Sequence, residues 1–194
     1  SLEQEIVLEL DGDQSLIHYK VGLSSEADSL GWILPLPPGY QSLTDGELGL
    51  FESLHGMTQP VIEYASDESS LGCSCGSTSK GGDGLTFGGD TGGLSIEDEG
   101  FTGTYSYTVL SANDATELEG WLGERGWELG DSSERVQAYL DEGYFFAAIE
   151  VTGVSYGMLP PLVVSAEGSP VWPARMANSG SSDTQRSAFY IIGP

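Results

Sequence analysis

Residues 4–22 read QEIVLELDGDQSLIHYKVG, and this stretch decides how the fold begins. Apolar and polar side chains alternate on both sides of a polar centre, residues 11–14, which contains an Asp-Gly pair. Such alternation is typical of strands with one buried face, and Asp-Gly favours a tight turn. The stretch therefore predicts an antiparallel hairpin.

Strand patterns recur along the rest of the chain. Most are short apolar runs or alternating runs bounded by Gly, Pro or Asp. One of them, residues 30–36, is cut by proline and leads into a polyproline-like exit. Strands are expected at residues 30–36, 61–64, 102–110, 144–151, 162–166 and 188–192.

Three short helices are predicted between these strands. Residues 45–55 have apolar side chains at helical spacing. Asp114 and Asp131 each precede a glutamate by three residues, which is the spacing of a capping box at a helix start. The second and third helices are expected to bury, respectively, Leu118, Trp121 and Leu122, and Val136, Tyr139 and Leu140.

These patterns favour a single α+β domain over residues 1–194, with a mainly antiparallel, mixed sheet. Residues 66–93 differ from the rest, since 18 of these 28 residues are Gly, Ser or Thr. This composition is typical of a flexible loop or arm.

The charge is strongly one-sided. Thirty acidic residues stand against six basic ones, which gives a net charge of -24 at pH 7. Such a surface repels nucleic acids and anionic lipids, so those partners are excluded, whereas cations and basic partners are favoured. No apolar run in the sequence approaches the roughly 20 residues of a membrane-spanning helix.

Several motifs carry a family resemblance. Residues 32–37 (WILPLP), 158–162 (MLPPL), 170–175 (PVWPAR) and 190–193 (YIIG) resemble a bacterial family of unknown function, number 2330. The resemblance spans nearly the whole chain and implies an exported bacterial protein without a known activity. It supplies no catalytic residues, and this chain lacks the cysteine-rich opening that is usual in the family.

The candidate metal ligands are carboxylates near glycines, which we interpret as turn residues. They do not match the spacing of an EF-hand loop, and a solvated acidic surface is the alternative explanation. The candidates for calcium are Asp11, Asp13, Asp83, Asp90, Glu97, Asp98 and Glu99.

The two cysteines, Cys73 and Cys75, lie within residues 72–76, a G-x-S-x-G string. A serine hydrolase would need a histidine downstream of that string, and both histidines, His18 and His55, lie upstream. The two thiols would supply two of the four ligands of a structural zinc site. A disulfide within or between chains is the simpler interpretation. We expect His18 and His55 to be packing or surface residues.

These observations together favour a non-enzymatic, extracytoplasmic protein that is periplasmic, secreted or at the cell surface. We expect it to act by binding or self-assembly, as a surface or filament subunit, with itself, another surface protein or cations as partners. No cofactor is certain, and calcium is the candidate. The alternatives are a metal-assisted enzyme using Asp or Glu, and a monomeric carbohydrate or small-ligand binder. Residues of the Gly-rich segment expected to contact a neighbouring subunit are Lys80, Gly81, Gly82 and Phe87.

Overall fold

A computed structural model describes residues 3–21, 29–59, 93–152, 159–168 and 186–193. The strand expected at residues 61–64 lies outside this part of the chain. So does the Gly/Ser/Thr-rich segment, residues 66–93, apart from Gly93.

Nine strands and three helices make up the described part of the chain. The strands are β1 (Glu3–Asp11), β2 (Gln14–Val21), β3 (Ser29–Leu36), β4 (Tyr40–Asp45), β5 (Ser95–Phe101), β6 (Ser106–Ser111), β7 (Phe145–Thr152), β8 (Leu162–Glu167) and β9 (Arg186–Ile192). The helices are α1 (Leu48–Thr58), α2 (Ala115–Gly123) and α3 (Ser133–Asp141), the last preceded by a 3-10 turn (Gly130–Ser132).

The first sheet, sheet I, has the strand order β4-β8-β2-β1-β9. The predicted hairpin is confirmed as β1 and β2, with Asp11 opposite Gln14 and a two-residue turn between them. Gly12 in that turn has a φ of 61°, which glycine adopts without strain. β9 runs parallel to β1, and the other neighbours in the sheet are antiparallel.

The second sheet, sheet II, has the strand order β3-β7-β6-β5, and all of its pairs are antiparallel. Its central strand β7 is buried on both faces because alternate residues serve two cores. Ala147 and Ile149 belong to a core shared with sheet I, whereas Phe146 and Ala148 belong to a core shared with α2 and α3. Sheet I therefore packs on one face of sheet II, and α2 and α3 pack on the other.

The cores contain the apolar side chains that this layering requires. The core between the sheets includes Ile6, Ile17, Tyr19, Leu34, Leu36, Leu43, Val109, Ala147, Ile149, Leu162 and Val164. The core under the helices includes Leu110, Leu118, Trp121, Leu122, Val136, Tyr139, Tyr144 and Phe146. The predicted buried stripes of α2 and α3 are confirmed, except that Leu140 is partly buried.

α2 begins at its predicted N-cap, Asp114. Asp114 accepts a hydrogen bond from the backbone N–H of Glu117 at 3.0 Å. The Glu117 carboxylate reaches back to the backbone N–H of Asn113, at 2.9 Å, one residue before the cap. In α3 the cap differs from the prediction, because Asp131 lies within the 3-10 turn and Ser132 precedes the first helical residue, Ser133, without a side-chain cap.

The α+β class is confirmed, with two corrections. The β-structure divides between two sheets, whereas one mixed sheet was expected. Residues 97–99 lie in strand β5, whereas their carboxylates had suggested a turn. β5 is an edge strand whose side chains alternate between exposed and half-buried, so water solvates the charges that strand propensity disfavours.

Candidate functional site

A β-bulge in β5 determines where Asp98 points. Ile96 pairs with Leu110, which packs under the helices, whereas Asp98 pairs with Val109, which faces sheet I. Cross-strand partners share a face of the sheet. Because Glu97 is an extra residue, the side chains of Ile96 and Asp98 point to opposite faces of sheet II. Asp98 is thereby directed into the space between the two sheets.

A second bulge, in β4, directs Tyr40 into the same space. The register shifts between Tyr40 and Ser42, and Tyr40 packs against the core between the sheets, as Leu43 does. Tyr40 and Leu43 are three positions apart, and in a regular strand two such side chains point to opposite faces. The inserted residue, Gln41, therefore brings Tyr40 inward.

The two bulges lie on the edge strands β4 and β5, and their side chains meet. The Tyr40 hydroxyl donates to Oδ2 of Asp98 at 2.8 Å, and the Tyr107 hydroxyl lies 3.4 Å from the same oxygen. Further along these strands, the Thr102 hydroxyl donates to Oδ1 of Asp45. We call this set (Tyr40, Asp45, Asp98, Thr102 and Tyr107) the edge seam.

The chemistry of the edge seam is that of hydrogen bonding. Burial, the hydrogen bond to Asp98 and its negative charge raise the pKa of Tyr40 well above its usual range. Burial and the Asp98 charge raise the pKa of Tyr107 as well. Both phenols therefore stay protonated, and they present donors to a carboxylate. This arrangement can bind a polar ligand but contains no activated nucleophile.

A second polar cluster lies on the outer face of sheet I, where α1 packs. The Glu5 carboxylate lies 3.3 Å from Nζ of Lys20 through one oxygen and 3.3 Å from Nε2 of His55 through the other. Lys20 is only 5% exposed, and its Nζ lies 5.1 Å from the ring centroid of Phe51 in α1. We call these four residues the α1 seat.

His18 lies on the same face of sheet I, two residues before Lys20. Its Nε2 lies 3.4 Å from Oε2 of Glu9, but the two groups are not aligned for a hydrogen bond. Its Nδ1 is buried and has no hydrogen-bond partner. Burial lowers the pKa of His18 below its ordinary value, against the opposing effect of Glu9, so the imidazole is neutral at neutral pH.

The other predicted metal ligands are dispersed. The Glu97 carboxylate accepts hydrogen bonds from Ser111 at 2.6 Å and from Ser95, and these bonds lower its pKa. Within the described ranges, no group of three or more His, Cys, Asp or Glu is arranged to hold a metal ion. Of the candidates, Asp11, Asp13 and Glu99 are exposed, whereas Cys73, Cys75, Lys80, Gly81, Gly82, Asp83, Phe87 and Asp90 lie outside the described residues.

The four sheet edges differ in how they are protected. β3 contains Pro35, which cannot donate a backbone hydrogen bond, and β4 and β5 both carry bulges. β9 pairs with β1 over seven residues without a break, and residues 187–192 (SAFYII) contain no charge, Pro or Gly. Among the described strands, none pairs with its outer side, and Ile191 is 72% exposed.

The sequence contained a signal for one of these clusters. A two-residue turn with Asp11 opposite Gln14 places Glu5 opposite Lys20, so this ion pair could have been predicted from the hairpin. No such signal existed for Tyr40 and Asp98, because each position depends on a bulge that strand periodicity does not reveal.

Comparison with known proteins gives one informative result. Neither the curated proteins nor the solved structures that were searched contain a match to this chain. No helix in the described ranges is both long and apolar enough to cross a membrane. A family described as an uncharacterized protein conserved in bacteria, DUF2330, matches residues 2–193. Because this match covers nearly the whole chain, the protein belongs to the bacterial family DUF2330.

Proposed function

We propose that this protein is a non-enzymatic, extracytoplasmic subunit that acts by self-assembly, with β9 as the strand that pairs with a neighbouring copy. The observation that carries the proposal is the uncharged run 187–192 of β9, which follows Arg186 at the start of the strand, on a chain with 30 acidic residues. Open strand edges that lack charges, proline and bulges are templates for pairing with another strand.

The contrast between β9 and the other edges supports this choice. Bulges and a proline block regular pairing at β3, β4 and β5, and β5 also carries three consecutive acidic residues, 97–99. Two copies that join through β9 would extend sheet I without bringing acidic strands together. The extracytoplasmic part of the proposal is supported by the resemblance of the sequence to exported proteins.

The net charge of -24 opposes association, so we expect assembly to depend on cations that screen or bind the acidic surface. Calcium is the ion to try first, since Asp11 at the end of β1 and Asp13 in the β1–β2 turn are exposed and offer carboxylate oxygens, which calcium prefers.

The test is the solution mass by light scattering, with calcium and again with a chelator. For the wild type with calcium we expect a multiple of 20.5 kDa. Ile191→Lys places a charge on the β9 edge and should leave a monomer. Met57→Lys, at an 80% exposed position of α1, is the matched control and should assemble as the wild type does.

Two results would contradict this proposal. A wild-type monomer under both conditions would exclude self-assembly. Equal assembly by the Ile191→Lys variant and the wild type would show that copies associate through a surface other than β9.

A second candidate function is favoured by the edge seam. Half-buried tyrosines around a carboxylate, such as Tyr40 and Tyr107 around Asp98, are groups that bind the hydroxyls and faces of sugars. A glycan array would test this candidate. Binding by the wild type that is lost in the Asp98→Asn variant would support it, and an array without binding would argue against it.

A further inference from the structure

The buried histidine of sheet I, His18, has the Glu9 carboxylate within ion-pair distance but forms no aligned hydrogen bond with it. His18 is 9% exposed, and neither ring nitrogen makes an aligned hydrogen bond. A buried polar group without a hydrogen bond costs free energy, and it needs a reason to be retained. The neighbours of His18 on the same face of the sheet indicate such a reason.

Charged and titratable groups approach His18 from several elements. β1 contributes Glu9, which lies within ion-pair distance of the imidazole, and Glu5. Lys20 is two residues further along β2 on the same face. Its Cα therefore lies about 7 Å from that of His18, which is the rise of two strand residues. In the described residues, β8 places the uncharged Val163 opposite His18. Further titratable groups over this face include His55 of α1 and Tyr190 of β9, whose rings lie 6.2 Å apart.

We propose that the α1 seat is an acid-sensitive latch, in which a proton taken up by His18 loosens α1 from sheet I. The latch goes beyond the proposed function and does not depend on self-assembly. It needs a neutral imidazole at neutral pH, a buried cation beside it, and a link from that cation to α1.

The neutral imidazole follows from burial. Desolvation holds the pKa of His18 below its ordinary value, and the opposing effect of the nearby Glu9 carboxylate is smaller. A group whose pKa is lower in the folded state destabilises that state when it is protonated. The folded arrangement is therefore fully stable above the ordinary histidine pKa of about 6.5 and loses stability as the pH falls below that value.

The link to α1 runs through Lys20. Its ammonium group lies 3.3 Å from Glu5 and 5.1 Å from the Phe51 ring, and Glu5 also lies 3.3 Å from Nε2 of His55. A positive charge on His18 repels the Lys20 ammonium in a site that is shielded from water. The Glu5 carboxylate already lies within ion-pair distance of both Lys20 and His55. The added positive charge on His18 therefore weakens the contacts that hold α1.

The experiment combines two NMR measurements on the whole chain. Titration of the two imidazoles gives their pKa values, and a His55→Gln variant assigns the remaining signal to His18. Hydrogen exchange, corrected for intrinsic rates, then gives the protection of the amides of α1 at pH 7 and pH 5. The amides of α2, which packs on sheet II, are the internal control.

We expect the His18 pKa to lie below 6.5 and the protection factors of α1 to fall severalfold on acidification. The protection of α2 should change much less. His18→Leu, which removes the titrating group and keeps an apolar volume, should abolish the pH effect on α1.

Any of four outcomes would overturn the latch. A His18 pKa at or above 6.5 removes its driving force. Equal loss of α1 protection in the His18→Leu variant assigns the effect to a carboxylate such as Glu5. Equal loosening of α2 shows global unfolding. If His18→Leu does not fold, the midpoint of the α1 transition in the wild type must coincide with the measured His18 pKa, and a mismatch rejects the proposal.

Discussion

Asp98 and Tyr40 are each positioned by the residue inserted beside them in a bulge. Glu97 and Gln41 are the inserted residues, and they redirect their neighbours toward the space between the two sheets. The resulting hydrogen bond, at 2.8 Å, joins the edge of one sheet to the edge of the other. A contact that ties two sheets together stabilises the layered fold as well as the edge seam.

Tyr40→Phe should therefore lower the free energy of unfolding by about 1.5–3 kcal/mol, since it removes a hydrogen bond to a charged acceptor. Tyr107→Phe is the matched control and should cost less, because its hydroxyl lies 3.4 Å from Asp98. Urea denaturation of both variants measures the difference. A larger loss for Tyr107→Phe would show that the seam is not held mainly by Tyr40.

At the scale of elements, β3 meets the region that connects α2 with α3 at a glycine. The indole ring of Trp127 lies directly on Gly31, in the space that a Cβ atom would occupy. Trp127 itself packs at the border of the core under the helices. The absence of a side chain at Gly31 therefore lets the connection between α2 and α3 approach the edge of sheet II.

Gly31→Ala should destabilise the protein by about 1–3 kcal/mol, the usual cost of overpacking a filled site. Gly120→Ala, inside α2, is the control: an added Cβ there meets nothing within 4 Å, and alanine favours a helix over glycine by about 1 kcal/mol. The two glycines should thus respond with opposite signs in thermal unfolding. A neutral Gly31→Ala would mean that the indole moves away at little cost.

For the whole molecule, the dominant property is the net charge of -24. The buried Lys20 is already neutralised by Glu5, so it does little to offset the acidic surface. The unfolded chain spreads the same charges over a larger volume, and self-repulsion therefore destabilises the compact state.

Salt should consequently stabilise this protein. We expect the urea midpoint to rise as sodium chloride increases from about 0.1 M to about 1 M, where the screening length falls from about 10 Å to about 3 Å. A midpoint that stays constant or falls would indicate that local ion pairs, which salt weakens, outweigh the general repulsion.

The sequence alone determined the parts of the fold that depend on local patterns. The hairpin of β1 and β2, the N-cap of α2 at Asp114 and the buried stripe of α2 follow from periodicity and capping, which act over a few residues. The same local information would place Glu5 opposite Lys20 once the two-residue length of the turn is given. The family was identified from motifs of core and turn residues, and the match over residues 2–193 confirms it.

Only the tertiary structure decided how these pieces divide into two sheets and where the polar clusters form. β5 has a weak strand propensity, and its place beside β6 comes from pairing and not from its own residues. The seam between Tyr40 and Asp98 depends on two bulges and on the packing of one sheet over the other. The burial of His18 depends likewise on what covers the sheet. Contacts between residues distant in sequence fix these features, and a local pattern carries no information about them.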